Sequence, residues 1–386
     1  MHQTNDGLNH LKLLIVVDHR DWAFSFIAKN VQNVFGEDNS TTIYTEDFLT
    51  YGGFLKAINL TDFDVIFFFS RKYLFGLIDY IAIYNRKNYP FITDKCILTT
   101  IPDHAFSSEI ILNNFSPYFE LIDGYITTNH KLFKHYSDRN LPKKPYSVIF
   151  DQPHLEYKPV TSAIKKRQGE TCKIIWIGNS NWGSHYGVRD YKGLETIIKP
   201  ALKMVSEKGL HYELDIFDNA EKKYSKSTID RALIDSDILL CASIEEGTPL
   251  PVIEAMAYGC AIVSTDVGIV NEVFDSCQQD FIVERSTSAF SAAISKLLSN
   301  PRLLYMLKDS NIQQYKIHFS DNNYNSWKIF ITDSCVRNKY LNRSDNKNSL
   351  LIKLSKNTLL ASRFSIFYPY LKKTRIIKEI LRIFSR

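Results

Sequence analysis

The chain has 386 residues, 45% of them hydrophobic, which is enough apolar material for packed cores and excludes a disordered chain. At roughly 150 residues per domain, this length predicts two domains with some chain left over. The formal net charge of +5 is too small to predict nucleic-acid binding, and we expect no nucleic-acid partner.

Short apolar runs alternate with helical patterns along most of the chain, which predicts βαβ units with parallel sheets. In the first half, the expected strands cover residues 13–17, 65–69, 96–100 and 124–127. Amphipathic patterns predict helices at 22–35 and 129–136. The first apolar run is too short for the core of a secretory signal peptide, so we expect a strand there and a cytoplasmic protein.

A polar stretch ending near Glu170 contains several prolines, at Pro142, Pro145, Pro153 and Pro159. Proline restricts its own backbone and that of the preceding residue, which favours a linker over a helix or a central strand. We therefore predict a first domain over 1–165, a second over 166–333, and a C-terminal tail over 334–386.

The second half repeats the alternation of strands and helices. The expected strands are 173–177, 213–217, 238–242, 261–264 and 281–283, and the expected helices are 194–208, 229–235, 252–258 and 288–298. Two consecutive open α/β sheets are the predicted architecture, that is, two Rossmann-like domains. Because such sheets bind ligands beyond the carboxyl ends of their strands, we expect the site in a cleft between the two.

The segment from 243 to 273 carries the clearest chemical signal. It contains a loop followed by a predicted helix, with Glu246 in the loop and Glu254 about one turn inside the helix. Pro251 is favourable in a first helical turn, and Gly259 suits the left-handed position that ends a helix. Free N–H groups and the helix dipole favour an anion at such a start. The residues just before it are Gly247, Thr248, Pro249 and Leu250.

Two carboxylates beside one helix start would repel a bare diphosphate. Their expected partners are neutral hydroxyl groups of a sugar and a ribose, while the phosphates take the backbone donors. The alternative is structural: the two acids complement the positive end of the helix dipole and bind nothing.

This segment resembles glycosyltransferase family 4, whose members have the GT-B fold of two Rossmann-like domains. The family pattern is E-G-x-x-L-P-x-x-E-A-x-A-x-G, and residues 246–259 match it. The resemblance implies a retaining sugar transferase in which Glu246 contacts the donor sugar and Glu254 the nucleotide ribose. It also implies that the amides around Thr248 and Leu250 bind the diphosphate. The resemblance rests on motifs over 171–310 and only on layout over 1–170.

A second part of the resemblance follows the strand predicted at 173–177. The family has Gly-Arg after this strand and a lysine shortly afterwards, and Lys192 matches that lysine, which implies a contact with the donor diphosphate. The arginine is missing, because Asn179 follows Gly178. Arg189 is expected either to supply that charge or to be a solvated loop residue. Cations here would stabilise the charge of a departing diphosphate.

In the first domain, Asp103 and His104 follow a predicted strand and are expected at its carboxyl end. Related enzymes often carry a histidine here that contacts the donor sugar, although a structural role for His104 stays open. His19 and Arg20 follow the first strand in the same way and are expected to make acceptor contacts rather than to hold phosphate.

No cofactor and no metal ion are expected, and the nucleotide sugar is a substrate. Asp235 and Asp237 form an Asp-x-Asp pattern that other glycosyltransferases use for a metal. They precede the strand predicted at 238–242, which is the wrong end for a site, so a helix end and turn is the better interpretation.

The basic charge is concentrated near the C-terminus. Residues 351–386 contain nine basic residues and one acidic residue, so they carry +8 and the rest of the chain −3. A basic amphipathic helix over 370–386 predicts either contact with an anionic membrane surface or packing on the body.

The predicted function is transfer of a sugar from a nucleotide-diphosphate sugar to a glycan or lipid-linked acceptor. The expected pathway is cell-surface polysaccharide biosynthesis. The expected location is the cytoplasm, with peripheral association at the inner face of the plasma membrane if the basic helix contacts lipid. Two alternatives remain: a catalytically silent nucleotide-sugar-binding scaffold, and a GT-B nucleotide-sugar epimerase.

Overall fold

The structure is a computed structural model that describes residues 11–20, 23–103, 109–163, 170–184, 187–319, 323–340 and 344–356. The chain forms two compact units. The first combines Met1–Ile149 with Asn322–Arg386, and the second is Phe150–Asp321.

The first unit contains a five-stranded sheet. Its elements before residue 150 are β1 (Leu13–Val17), α1 (Ala23–Phe35), β2 (Ser40–Tyr44), α2 (Tyr51–Ala57), β3 (Val65–Phe68), α3 (Arg71–Tyr84), α4 (Pro90–Thr93), β4 (Cys96–Ile101), α5 (Glu109–Leu121), β5 (Gly124–Thr127) and α6 (His130–Ser137). The strand order is β2-β1-β3-β4-β5, and all neighbours are parallel. β1, β3 and β4 are buried along their whole length because helices cover both faces of a parallel sheet.

The second unit contains a four-stranded parallel sheet of order β7-β6-β8-β9. Its elements are β6 (Cys172–Gly178), a π-helical turn (Leu194–Ile198), α7 (Lys199–Glu207), β7 (Tyr212–Asp218), α8 (Lys226–Asp235), β8 (Ile238–Cys241), α9 (Leu250–Ala257), β9 (Ala261–Ser264), α10 (Val270–Val273), α11 (Ser276–Gln279), α12 (Thr287–Leu298) and α13 (Pro301–His318). Two Rossmann-like sheets were predicted, and both are present.

Two local predictions differ from the structure. The strand predicted at 281–283 is a single bridge between Ser264 and Ile282, because too few residues align beside β9 to continue a ladder. β2 was not predicted. It lies at the edge of the sheet and only its first residue, Ser40, is buried, so its sequence Ser-Thr-Thr-Ile-Tyr contains no apolar run.

The chain returns to the first unit after α13. Two helices, α14 (Asn323–Tyr340) and α15 (Ser344–Lys356), belong to that unit. Trp327 of α14 lies 5.5 Å from Phe67 of β3, measured between ring centroids. Leu351 of α15 is fully buried, and the Lys347 ammonium donates to the Asp123 carboxylate over 2.6 Å in a dry environment.

The predicted domain boundaries therefore differ from those of the compact units. Residues 150–165 belong to the second unit and 322–333 to the first, whereas we predicted the reverse. The part of the predicted tail up to residue 356 contributes to the core of the first unit, and the helix predicted at 370–386 lies outside the described residues. Among the described helices, none is long and apolar enough to cross a membrane.

Candidate functional site

The loop between β8 and α9 brings a carboxylate and a cation together. The Lys192 ammonium forms an ion pair with Oε1 of Glu246, and the Ser243 hydroxyl donates to the same oxygen over 2.7 Å. Both charged side chains are about one-fifth exposed, which keeps them in reach of a ligand while most of their surface is desolvated. The two residues come from loops at the carboxyl ends of β6 and β8, which are neighbouring strands.

Two glycines allow the backbones around this pair to approach each other. Gly193 has a φ of +74°, and a Cβ there would lie 2.5 Å from the Ala242 carbonyl oxygen. Gly268 has a φ of +53°, and a Cβ there would lie 2.3 Å from the Gly247 carbonyl oxygen. Any other residue at these positions would be both strained and obstructed by backbone, so the loop geometry depends on glycine.

The start of α9 has the features expected of an anion site. Pro249 is the N-cap residue, and its side chain accepts no hydrogen bond from the first turn. The helix begins at Leu250, two residues earlier than predicted, so Leu250 is already helical and Pro251 lies in the first turn, where it was expected. The positive end of the helix dipole therefore lies close in sequence to Gly247, Thr248 and Glu246, whereas Pro251 has no N–H group and the Val252 amide donates to the Pro249 carbonyl over 2.9 Å.

Glu254 lies inside α9 and is almost completely buried. Burial raises the pKa of its carboxyl group to about 7, and the nearby Lys226 ammonium, 3.0 Å away, opposes part of that shift. Lys226 also pairs with Asp230, which accepts hydrogen bonds over 2.8 Å from the Tyr258 hydroxyl and the Glu156 amide. The predicted ribose contact thus lies in a buried network of charges that sequence analysis did not foresee.

Asp151 adds another buried carboxyl group near the loop. Desolvation raises its pKa to about 7, and the hydroxyl group of Thr248 opposes part of this shift. Asp151 is 4% exposed and lies in the segment where the chain enters the second unit. Sequence analysis treated this segment only as a linker.

The loop before Lys192 is tied to the end of β8. Arg285 donates from Nε to the Ala242 carbonyl over 2.8 Å and from Nη2 to the Asp190 carbonyl over 2.7 Å. The Tyr191 carbonyl accepts from the Ile244 amide over 3.0 Å. Asp190 has a φ of +50°, the only non-glycine value above zero among the described residues.

The other residues predicted near Lys192 have local contacts. Gly178 ends β6, and its carbonyl accepts from the Asn219 amide over 2.8 Å. Asn179 forms a turn, in which its side chain accepts from the Asn181 amide over 3.0 Å. Arg189 is exposed, next to the buried Asp190.

The predicted residues of the first unit that the structure describes, His19, Arg20 and Asp103, follow the carboxyl ends of β1 and β4. His19 contacts Glu46 over 3.0 Å, and Arg20 forms two hydrogen bonds of 2.5 and 2.6 Å to Asp47. Asp103 accepts from the buried Arg71 over 2.7 Å. His104 lies outside the described residues.

The Asp-x-Asp pattern has a structural role. Asp235 is the last residue of α8, and Asp237 is buried, paired with Lys308 over 2.7 Å. Asp237 also accepts from the Lys173 amide over 2.9 Å, next to the amino ends of β6 and β8. These contacts agree with the interpretation of a helix end and turn.

Four residues of this region were not predicted from the sequence: Lys226, Asp190, Asp230 and Arg285. Lys226 and Asp230 are four residues apart, and that spacing on a helix was an available signal for an ion pair. Nothing in the sequence indicated the contacts of Arg285, because its partners are carbonyl groups 43 and 95 residues away along the chain.

Comparison with solved structures gives matches along nearly the full chain. HepE of Anabaena, in complex with UDP and glucose, is 12% identical with a TM-score of 0.59, over 85% of this chain and 100% of that one. Sucrose-phosphate synthase from Thermosynechococcus elongatus is 12% identical with a TM-score of 0.60, over 86% and 99%. A glycosyltransferase from Rickettsia africae is 15% identical with a TM-score of 0.55, over 91% and 100%. The chain has the GT-B fold.

Part of this GT-B chain also matches a family model. Residues 208–315 match the model described as "Glycosyl transferases group 1", a range that includes Glu246 and Glu254 but not Lys192. Comparison with curated proteins gives no significant match. Assignment to family 4 and the roles of the two glutamates remain predictions.

Proposed function

We propose that this protein is a retaining glycosyltransferase that moves a sugar from a nucleotide-diphosphate sugar to a hydroxyl group of a glycan or lipid-linked acceptor. The observation that carries the proposal is the ion pair between Glu246, in the loop that precedes α9, and Lys192, in the loop that follows β6. A cation, a carboxylate and a helix N-terminus match the diphosphate and the hydroxyl groups of such a donor. The group 1 glycosyltransferase match and the GT-B fold support the same conclusion.

In this proposal each part of the donor has its own partner. The diphosphate lies at the first turn of α9 and against Lys192, and the ribose hydroxyls donate to Glu254. Glu246 uses Oε1 for both Lys192 and Ser243, which leaves Oε2 to accept from a sugar hydroxyl. Glu246 and Glu254 thus orient the donor, and the Lys192 ammonium lies where negative charge develops on the departing diphosphate.

The reaction breaks the bond between the anomeric carbon and the diphosphate oxygen. The acceptor oxygen forms the new bond on the same face of the sugar, and its proton passes to the departing phosphate. Lys192 and the helix dipole stabilise the negative charge that accumulates on the nucleoside diphosphate. Since these groups supply the stabilisation, we expect transfer to continue in excess chelator.

The acceptor is proposed to approach the carboxyl edge of the first sheet, where His19, Arg20 and Asp103 lie. Arg20 is paired with Asp47 and Asp103 with Arg71, so the charges of these residues are largely neutralised, and His19 is hydrogen-bonded to Glu46. That arrangement suits a neutral hydroxyl better than an anionic nucleophile. Participation in cell-surface polysaccharide synthesis is part of this proposal.

The test starts from a thermal-shift panel of UDP-, GDP- and ADP-sugars, because a bound ligand raises the unfolding temperature. The donor that binds is then incubated with candidate acceptors, and the products are analysed by mass spectrometry and NMR. A glycosylated product with the anomeric configuration of the donor supports the proposal. Binding without turnover would identify a scaffold, an epimerised sugar an epimerase, and transfer lost in EDTA a metal-dependent enzyme.

A further inference from the structure

The loop that carries Lys192 depends on contacts outside the motif. Lys192 has a flexible side chain, so the position of its ammonium group depends on the backbone around it. That backbone lies against the end of β8 at two points: Gly193 packs on Ala242, and Tyr191 accepts from Ile244. Both contacts join the loop that carries Lys192 to the segment between β8 and Glu246.

Arg285 belongs to neither loop and bridges both. It follows the segment that pairs with the end of β9, where the Val283 amide donates to Ser264 over 2.8 Å. Its guanidinium group donates to the Ala242 carbonyl on one side and to the Asp190 carbonyl on the other. A planar guanidinium group with several fixed donors holds two acceptors in a defined relation, which a lysine ammonium does not.

Asp190 is in a conformation that needs such support. Its φ of +50° is in a region that residues with a side chain rarely adopt and that persists when surrounding contacts fix it. Its carboxylate accepts from the amide and the hydroxyl of Thr196, both over 2.7 Å, and its carbonyl accepts from Gly193 and Arg285. Arg285 therefore holds a strained turn only two residues before Lys192.

We propose that Arg285 is a positioning residue that fixes the Lys192 ammonium group beside Glu246 for contact with the donor diphosphate. The inference rests on the proposed function, since it assigns a diphosphate to Lys192. Arg285 acts through the backbone of Asp190 and Ala242. It therefore strengthens binding of the donor's phosphates and leaves binding of the base and the ribose unchanged.

The experiment measures binding of the donor's nucleoside diphosphate, and separately of its nucleoside, by calorimetry. The variants are Arg285→Gln, Arg285→Lys, Lys192→Met and the double variant Arg285→Gln/Lys192→Met. Lys296→Gln is the matched control, because it removes one positive charge from an exposed position in the same unit. Thermal unfolding of every variant shows whether it is folded.

We expect Arg285→Gln to weaken nucleoside diphosphate binding about tenfold, as for a misplaced charge-assisted hydrogen bond, with nucleoside binding unchanged. Arg285→Lys should show a loss of the same direction, since an ammonium group cannot hold both carbonyls. In the Lys192→Met background, Arg285→Gln should have little further effect, because both changes remove one interaction.

Equal losses for nucleoside and nucleoside diphosphate would overturn the inference, and so would additive losses in the double variant. If Arg285→Gln does not fold, the inference is tested by comparing nucleoside and nucleoside diphosphate binding in Arg285→Lys. If the variants bind like the unaltered protein, the inference fails and the proposed function stands. If the unaltered protein binds no nucleotide or nucleotide sugar, the proposed function fails and the inference fails with it.

Discussion

Glu254 and Asp151 are buried carboxyl groups in the second unit, and burial raises the pKa of each to about 7. Their surroundings differ. Glu254 has the Lys226 ammonium 3.0 Å away, which favours its charged form, whereas Asp151 is opposed in its shift by the neutral hydroxyl group of Thr248. The two residues therefore lead to different expectations near neutral pH, one for binding and one for stability.

For Glu254, we expect donor binding to weaken as the pH falls through about 7, because a protonated carboxyl group is a poorer acceptor for a ribose hydroxyl. Glu254→Gln should bind the donor about ten- to a hundredfold more weakly at high pH, and its affinity should not vary over this range. Calorimetric titration of the donor below and above the pKa measures both effects. Unchanged affinity in a folded variant would contradict the ribose contact.

For Asp151, we expect an effect on stability. Its pKa is raised from 3.8 to about 7, so between these values the folded protein holds a proton that the unfolded chain releases. Stability from this group is therefore lost as the pH rises from about 4 to about 7 and levels off above. Asp151→Asn should remove this loss and raise the unfolding temperature at alkaline pH. A variant that is less stable than the unaltered protein at alkaline pH would show that the charged form is well solvated.

At the scale of single residues, the sequence predicted the parts of the site that are close along the chain. Glu246, Pro251 and Gly259 lie in one loop-and-helix motif, where spacing alone determines their relation. The ion pair between Lys192 and Glu246 spans 54 residues and depends on β6 and β8 being neighbours. Lys226 was missed for the same reason, since it reaches Glu254 only through the packing of α8 on α9.

Among the elements, α15 shows how a charged helix residue becomes part of a core. Lys347 is 1% exposed and donates to Asp123 and to the Ile92 carbonyl, which is 3.0 Å away. Asp123 in turn accepts from the Ile97 amide over 2.7 Å, at the start of the strand β4. The ion pair between Lys347 and Asp123 thus fixes α15 to the amino ends of β4 and β5.

We expect Lys347→Met to destabilise the first unit by about 3–5 kcal/mol, because it leaves the Asp123 carboxylate buried without its cation. Lys353→Met is the matched control on the exposed face of the same helix, and it should change stability by less than about 0.5 kcal/mol. Urea unfolding followed by circular dichroism measures both. Equal stability of the two variants would mean that α15 contributes little to the fold.

The central strands were predicted because burial on both faces leaves a continuous apolar run. β1 and β3 are buried on both faces and appear as apolar runs, so their positions were predicted. The return of α14 to the first unit was not predicted, because no local pattern states which core Trp327 and Phe330 enter. Domain boundaries therefore required the structure.

For the whole molecule, the distribution of charge predicts that residues 357–386, the end of the tail, bind an anionic membrane surface. Residues 357–386 carry +6, with seven basic residues and one acidic residue, and the rest of the chain carries −1. We expect truncation after Lys356, which keeps α15, to abolish binding to anionic vesicles and to leave transfer to a soluble acceptor unchanged. Each basic residue near such a surface contributes about 1 kcal/mol, screened by salt within about 10 Å.

Sedimentation with vesicles of increasing phosphatidylserine content, at low and high salt, measures the binding. Vesicles without anionic lipid are the control and should bind neither form. If the truncated protein sediments as well as the full chain, the prediction that residues 357–386 bind an anionic membrane surface is wrong. A truncated protein that no longer folds would mean instead that the tail packs on the body.

The second unit is inserted into the first, since the chain leaves the first unit at residue 149 and returns at 322. This has a consequence for biosynthesis. When a ribosome has made the first sheet, the residues that complete its hydrophobic core, among them Trp327 and Phe330, are still more than 170 codons away. The hydrophobic core of the inserted unit is complete at Phe319, so this unit can fold while the core of the first unit still lacks Trp327 and Phe330. The half of the molecule that is translated first is therefore the half that finishes folding last.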